Sequence, residues 1–439
     1  MTMLSGWGRT PRAECRVRTA RSEADVARAI AEGPLIARGN GRSYGDPAMS
    51  PGLTLGMRGM DRMLSFDAGT GVLVAEAGVL LSEIIATFLP RGWFPYVTPG
   101  TKFVTLGGAI AADVHGKNHH GDGSFRAFVD WVEVMDGAGE ARRISAGDED
   151  FETVCGAMGL SGVILRAALR LRPVTSAWIA QETIPTPSVE AAIDAFEANL
   201  DAPYSVAWID CLSFPPALGR SIVMLGRHAE AAELPKKLAR APFEVPGRLR
   251  LSVPIDLPRV ALNPVFLRIF NAVYYRAGKR KAGKGLVDWD RYFYPLDAIG
   301  NWNRIYGRQG FYQFQCVLPL EAAKPGLNLM LHEISESGLG SFLSVLKRFG
   351  PDESRISFPE AGYTLALDFP ATDRCRALIE RLDAITLDHG GRFYLAKDAR
   401  MRAETAIAAD PRLAAFRTLR DARGWSEHFV SHQSRRLGL

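Results

Sequence analysis

The spacing of apolar residues changes character near residue 175. Before it, short apolar runs alternate with Gly-rich turns; after it, several segments show strict two-residue alternation. In the first part the pattern predicts a helix over 22–32, with Ser22 as its N-cap and Pro34 as its breaker. It predicts strands over 35–37, 72–77, 129–135 and 162–174, and helices over 80–89 and 148–158. The intervening stretches 38–46 and 98–108 read as loops, the second followed by small residues up to Asp113, and 136–139 reads as a turn.

In the second part, Tyr204, Val206, Trp208 and Asp210 share one face of a strand over 204–212. Over 311–318, Gln313 and Gln315 oppose Tyr312, Phe314, Cys316 and Leu318. Over 361–370, Thr364, Ala366 and Asp368 oppose Tyr363, Leu365, Leu367 and Phe369. Over 342–349, Lys347 ends an apolar face of Leu343, Val345 and Phe349. The pattern predicts an antiparallel sheet with helices on one face and polar groups on the other. That polar face is either solvent surface or the floor of a ligand pocket. Residues 241–300, rich in Pro, Gly and basic side chains, read as an insertion or mobile lid. The last stretch, 391–439, reads as strand, loop and helix.

At 439 residues the chain has length for two or three domains of about 100–200 residues. Hydrophobic residues at 47% and charged residues at 23% describe an ordinary globular protein. A net charge of +5 suits an anionic ligand or membrane surface better than a nucleic-acid coat, and no nucleic-acid partner is expected. Cys15, Cys155, Cys211, Cys316 and Cys375 form no C-x-x-C pair and read as the reduced thiols of a cytosolic protein. Residues 1–19 carry Arg9, Arg12, Arg16 and Arg18 without an apolar core, so no secretory signal is expected. No run approaches the roughly 18 apolar residues of a membrane span, so any membrane contact is expected to be peripheral.

Two loops carry candidate chemistry. Arg38-Gly-Asn-Gly-Arg-Ser-Tyr-Gly-Asp46 has three glycines in seven residues, which lets backbone N–H groups converge on an anion. Its spacing is not the dinucleotide fingerprint, and a plain Gly-rich turn is the alternative. Thr98-Pro-Gly-Thr-Lys-Phe-Val-Thr-Leu-Gly-Gly108 continues through small residues to His115-Gly-Lys-Asn-His-His120, a composition that permits close backbone approach to a large flat ligand. Asp113, His115, His119 and His120 lack the helical i, i+4 spacing of a zinc site, and no metal is expected. Residues 278–285 imitate a phosphate loop but lack its terminal Ser/Thr and its strand–helix setting. No G-x-S-x-G occurs, which argues against an α/β-hydrolase.

With His115–His120 and Gly123-Ser-Phe125, Asn301-Trp-Asn-Arg-Ile-Tyr-Gly307, Leu367-Asp-Phe-Pro370 and Gly390-Gly-Arg-Phe-Tyr-Leu-Ala-Lys-Asp-Ala-Arg400, these loops make the chain resemble the vanillyl-alcohol-oxidase-like flavoproteins. Among them it resembles the decaprenylphosphoryl-β-D-ribose 2-oxidases over essentially its whole length. The resemblance implies an α+β fold. In it, residues 1–176 and 392–439 form a two-subdomain FAD-binding domain, and 177–391 form an antiparallel-sheet substrate (cap) domain.

It implies FAD contacts from Arg38, Gly39, Asn40, Gly41, Arg42, Ser43 and Tyr44 and from Thr98, Pro99, Gly100 and Thr101. It implies others from Gly107, Ala109, Ala112, His115, Gly116, Asn118, Gly162, Ile164 and Lys397. Covalent relatives carry a His beside the Ser of the first loop; Arg42 stands there in this sequence, which implies non-covalent FAD. Substrate contacts are implied for Lys117, Trp208, Arg304, Gln313, Gln315, Lys347, Thr364 and Ala366, the last standing where mycobacterial members carry a Cys. Lys397 is implied to lie between flavin and substrate, where a cation stabilises developing negative charge. Its alternative is a surface Lys at a strand end.

The implied reaction is oxidation of the 2′-hydroxyl of a polyprenylphosphoryl-β-D-ribofuranose, with Lys397, Tyr44 and His115 as candidates for polarising or deprotonating that hydroxyl. An NAD(P)H-dependent reductase is the implied partner in completing an epimerisation. An oxidase of a small polyol or aldonolactone and a non-catalytic lipid-phosphate-binding scaffold are the alternatives. The apolar and aromatic run 265–275 continues into a basic cluster ending at Gly285. It reads either as a peripheral contact at the inner face of the cell membrane or as a core helix followed by a solvated loop.

Overall fold

The alternation that separates glutamines from aromatics along 311–318 is the organising feature of an eight-stranded antiparallel sheet. The computed structural model describes residues 1–248, 251–258, 263–341 and 343–439. The strand order in this sheet is Gly283–Asp288, Trp178–Thr186, Ser221–His228, Tyr204–Ile209, Ser344–Phe349, Gly362–Pro370, Phe311–Pro319, Arg392–Phe393. One face buries Phe314, Cys316, Leu318, Leu365 and Leu367 against the helices Val189–Glu197, Leu320–Ser337 and Asp373–Asp388. The opposite face, with Gln313, Gln315, Thr364, Ala366 and Lys347, closes one side of a cleft. The strand Ser344–Phe349 is shorter than the pattern predicts, and Phe342 lies outside the described residues.

The other side of the cleft is built on two smaller sheets. Four strands, Thr2–Ser5, Arg12–Thr19, Leu53–Gly56 and Leu35–Arg38, form one of them. The second contains Met63–Asp67, Val72–Glu76, Val163–Pro173, Val129–Met135 and Ala141–Ser145. A single apolar core joins them to the C-terminal stretch, in which Leu413, Phe416, Trp425 and Phe429 pack against residues such as Leu35 and Ile110. The chain therefore returns at its end to the body built by its first third.

Most elements agree with the pattern, including the helix Glu23–Ala31, whose N-cap Ser22 accepts from Asp25 N–H. Three differ. The helix expected over 148–158 shrinks to Phe151–Val154, because Gly156 and Met158 take φ of 87° and 55°, which no right-handed helix accommodates. The expected loop 98–108 ends in a short helix, Leu106–Ala111, capped by the Thr105 hydroxyl, which accepts from Gly108 N–H. The segment 241–300 contains the helix Pro264–Arg280 and the strand Gly283–Asp288; residues 249–250 and 259–262 of it lie outside the described residues. The phosphate-loop mimic at 278–285 thus ends a helix and enters a strand, the reverse of the order a phosphate loop needs.

Candidate active site

Both Gly-rich loops meet at the cleft, tied to each other and to the C-terminal stretch. Asn40 Nδ2 donates to the Phe103 carbonyl at 2.8 Å, linking loop to loop. Tyr44 N–H donates to the Ala396 carbonyl at 2.9 Å, so the first loop is pinned to the turn that carries Lys397. Gly39 packs against the Thr105 hydroxyl where a Cβ would collide, and Gly41 takes φ of 62° beside the Arg38 guanidinium. Arg38 itself donates to the Ser5 and Ala48 carbonyls and braces the loop from behind. In the second loop, a Cβ on Gly100 would meet nothing, as expected of backbone that borders open space. The cleft takes in about 2030 Å³ counting its mouth, and Gly39, Asn40, Gly41, Arg42, Ser43, Tyr44, Thr98, Pro99, Gly100 and Thr101 all line it.

These loops fit a large anionic cofactor. Arg42 stacks its guanidinium 4.1 Å from the Trp7 ring centroid, and its buried Nε has no hydrogen-bond partner among the described residues. Burial lowers its proton affinity, with Asp297 partly offsetting that. A half-buried guanidinium with an unpartnered Nε, set in a Gly-rich loop that lines the cleft, is a place for a phosphate oxygen.

Deeper in the cleft the chemistry concentrates around Lys397. Its ammonium stands 4.0 Å from the Tyr44 ring centroid. Burial lowers its pKa, the Asp368 carboxylate raises it, and Lys347 lowers it again. Asp368 is buried at the base of the Gly362–Pro370 strand, where it accepts from Gln313 Nε2 at 2.6 Å and from no described group at Oδ2. Burial pushes its carboxyl up. Tyr44 is held as the neutral phenol, because burial and then the Asp368 charge push its pKa well above the usual value.

His115 is neutral for the mirrored reason: burial, then Lys347, His119 and Lys397, push it well below the usual imidazole value. Gln315 Nε2 donates to His115 Nε2 at 3.1 Å, which leaves the ring proton on Nδ1, a buried atom with no partner among the described residues. Lys117 donates to the Tyr292 carbonyl and lies 4.1 Å from that ring's centroid. Burial brings Lys117 down to about 7 and Lys347 down to about 8.

A buried ionic knot positions His115. Asp113, with φ of 36°, accepts from Ser124 Oγ at 2.8 Å, from Arg126 N–H at 2.9 Å and from Ser357 Oγ. Arg126 also pairs with Glu152 and Asp352, and Asp352 pairs with His119. The residues around His115 are thereby fastened to the stretch that follows the Ser344–Phe349 strand. His119 and His120 are spent on Asp352 and the Ala202 carbonyl. No group of three or more His, Cys, Asp or Glu side chains among the described residues is arranged to hold a metal.

Of the other expected residues, Ala112, Trp208, Thr364 and Ala366 line the cleft, Trp208 with its ring 4.6 Å from Tyr274. Arg304 is not among the lining residues. Its guanidinium is held outside by Asp256 at 3.0 Å and by the Pro254 carbonyl. Gly107, Ala109, Gly116, Asn118, Gly162 and Ile164 also stand behind the lining. Gly107 lets the Leu106–Ala111 helix approach Ala77, and Asn118 ties Tyr96 to Asp122. Gly162, at φ of 145°, packs on Val134, and Ile164 belongs to the apolar core. Sequence reasoning missed Trp7, Tyr274 and Asp297 in the lining. It also missed a role for Asp368, although the alternation put Asp368 on the polar face with Thr364 and Ala366.

Comparison with known proteins bears on which cofactor these loops would hold. A family model for an FAD binding domain matches residues 15–145. The chain is 37% identical to a decaprenylphosphoryl-β-D-ribose oxidase of Mycolicibacterium smegmatis, over 99% of this chain and 97% of that protein. It is 32% identical to an uncharacterized protein of Streptomyces coelicolor, over 82% of this chain and 100% of the other. An uncharacterized oxidoreductase of Rhodococcoides fascians is 34% identical over 31% of this chain and 32% of its own length.

Proposed function

The chain belongs to the decaprenylphosphoryl-β-D-ribose oxidase family of FAD-binding oxidoreductases. From that premise we propose that it oxidises the 2′-hydroxyl of a polyprenylphosphoryl-β-D-ribofuranose to the 2′-ketone, the first half of an epimerisation. The observation that carries this is the cationic floor of the cleft. Lys117, Lys347 and Lys397 all line it half-buried, while Asp368 is the one carboxylate among the electrostatic partners of Lys397. Desolvation without a matching counter-charge lowers all three lysines, and an anion bound among them would restore their charge. A phosphodiester attached to a sugar supplies that charge within reach of the hydroxyl to be oxidised; a free polyol does not.

In the reaction, the C2′–H leaves as hydride, the hydroxyl loses its proton, and the carbon–oxygen double bond forms. FAD, when bound, is the hydride acceptor. Arg42 with the loops 39–44 and 98–101 would hold its pyrophosphate. With Arg42 in place of a linking His, nothing at that position bonds to the cofactor. Tyr44, kept neutral, offers a hydroxyl donor, and Lys397 offers a cation in a desolvated setting where charge–charge interactions are strong. Residues 1–176 and 392–439 would form the FAD domain around their shared apolar core, with 177–391 as its substrate cap. An NAD(P)H-dependent reductase would complete the epimerisation, and the enzyme would work peripherally at the inner face of the cell membrane.

An anaerobic titration tests the reading. Bleaching of the bound flavin by polyprenylphosphoryl ribose, and not by free pentoses or polyols, is the expected result. Equal bleaching by a free polyol would overturn it.

A further inference from the structure

The helix Pro264–Arg280 has two incompatible-looking faces. Its inner side is anchored: Leu267 is buried, and Asn271 Nδ2 donates to Asp210 Oδ1 at 2.7 Å. Tyr274 lies against Trp208 and lines the cleft, Tyr275 donates to the Thr186 carbonyl at 3.2 Å, and Gly278 sits so close to Ile222 that a Cβ would collide. Its outer side carries Val265, Phe266, Ile269 and Val273, exposed at 67, 55, 57 and 57%. Val265, Ile269 and Val273 recur every four residues and form one stripe. A helix built only for the core of this protein would not expose that stripe.

The charge around the stripe selects its occupant. Residues 263–287 contain six cations, Arg268, Arg276, Lys279, Arg280, Lys281 and Lys284, and no acid. Pairing with a second copy of this chain would set those cations against their own kind. Anionic headgroups over an apolar interior supply both complements at once. No described helix is long and apolar enough to cross a membrane, so the contact lies in the interface plane.

We propose that the outer face of the helix Pro264–Arg280 docks on an anionic lipid surface, with Tyr274 on its inner side holding the cleft wall beside that surface. This rests on the reading above, in which the substrate is a lipid phosphate. It deepens that reading by naming the route: the prenyl tail stays in the leaflet while the sugar phosphate passes the helix into the cleft.

The experiment is sedimentation of the FAD-loaded enzyme with phosphatidylcholine vesicles, with and without phosphatidylglycerol. The parent is compared with a variant carrying Val265→Gln, Phe266→Gln, Ile269→Gln and Val273→Gln, and with one carrying Lys279→Gln, Arg280→Gln, Lys281→Gln and Lys284→Gln. The parent should bind only the anionic vesicles and release as salt rises, since screening acts within about 10 Å at 0.1 M. Each variant should lose at least about tenfold in partitioning, from lost apolar burial or lost counter-charge. Each should keep its flavin absorbance and its bleaching by a short-chain, water-soluble prenylphosphoryl ribose. If one variant sheds its flavin, the other still reads the same face. Indifference of the parent to phosphatidylglycerol overturns the proposal. So does a parental dimer that the first variant dissociates, which would make the stripe a self-association surface. If the parent binds vesicles but the short-chain substrate leaves its flavin oxidised, the docking surface stands and the assigned reaction falls.

Discussion

Lys397 and Tyr44 form a cation–ring pair across the cleft, with the ammonium 4.0 Å from the ring centroid and the two backbones joined through the Ala396 carbonyl. The pair fixes where positive charge sits without neutralising it, because a ring face attracts a cation but carries no net charge. Lys397→Ala should therefore slow flavin reduction by about 10²–10³-fold, the usual cost of one preorganised charged donor. Rapid-mixing absorbance of the flavin, with circular dichroism as the check on folding, measures this. Parental rates in the variant would remove Lys397 from the chemistry.

The cofactor should leave with the supernatant when the protein is precipitated with acid. Arg42 stands beside Ser43, stacked on Trp7, and a guanidinium does not form the bond that an imidazole can. Yellow colour retained in the washed, denatured pellet would contradict this.

Ala366 lies between Gln315 and Val345 in the sheet and faces the cleft. All five native cysteines are buried, and burial pushes the Cys211 and Cys316 thiols up to about 11 and about 12. The folded parent should resist iodoacetamide, since the thiolate is the reactive form. Ala366→Cys should take up one equivalent, with loss of flavin reduction that bound substrate prevents. Mass spectrometry locates the adduct; labelling elsewhere in the folded variant would put Ala366 outside the cleft.

How much of this was legible in the sequence depended on the range of the interaction. Gln313 and Gln315 declared themselves because alternation is local: two polar residues among aromatics can only face away from the apolar layer. Lys397 and the two Gly-rich loops were found through motif context. Trp7 and Asp297 were not, because each reaches the cleft by a contact across the chain. Asp297 accepts from Lys102 N–H at 2.9 Å, and Trp7 N–H donates to the Ser43 carbonyl at 2.7 Å. The position of Arg304 off the lining was hidden for the same reason. Its motif was visible, but the partner that turns it outward, Asp256, is 48 residues away. The shortened helix at Phe151–Val154 failed locally, since apolar spacing does not report that Met158 takes positive φ.

The pH dependence of flavin reduction follows from which charges face Lys397. Those groups are Asp368 and Lys347, with neutral Tyr44 and His115 beside them. Burial lowers the Lys397 pKa below that of a free lysine, so the cation is lost as pH rises through that lowered value and is fully present below it. If the cation is the working form, the reduction rate falls on the alkaline side well before pH 10. Asp368 acts in the opposite direction to burial, because its carboxylate favours the ammonium. Asp368→Asn keeps the Gln313 contact in shape but removes that charge, so the Lys397 pKa should fall further and the alkaline limb should move to lower pH. Lys347→Met removes a repelling cation and should move the limb upward. The two variants thus shift one profile in opposite directions, a result that general loss of packing cannot imitate. Single-turnover reduction measured from pH 6 to pH 10 checks both. A rate that climbs with pH through this range would instead make neutral Lys397 the proton acceptor.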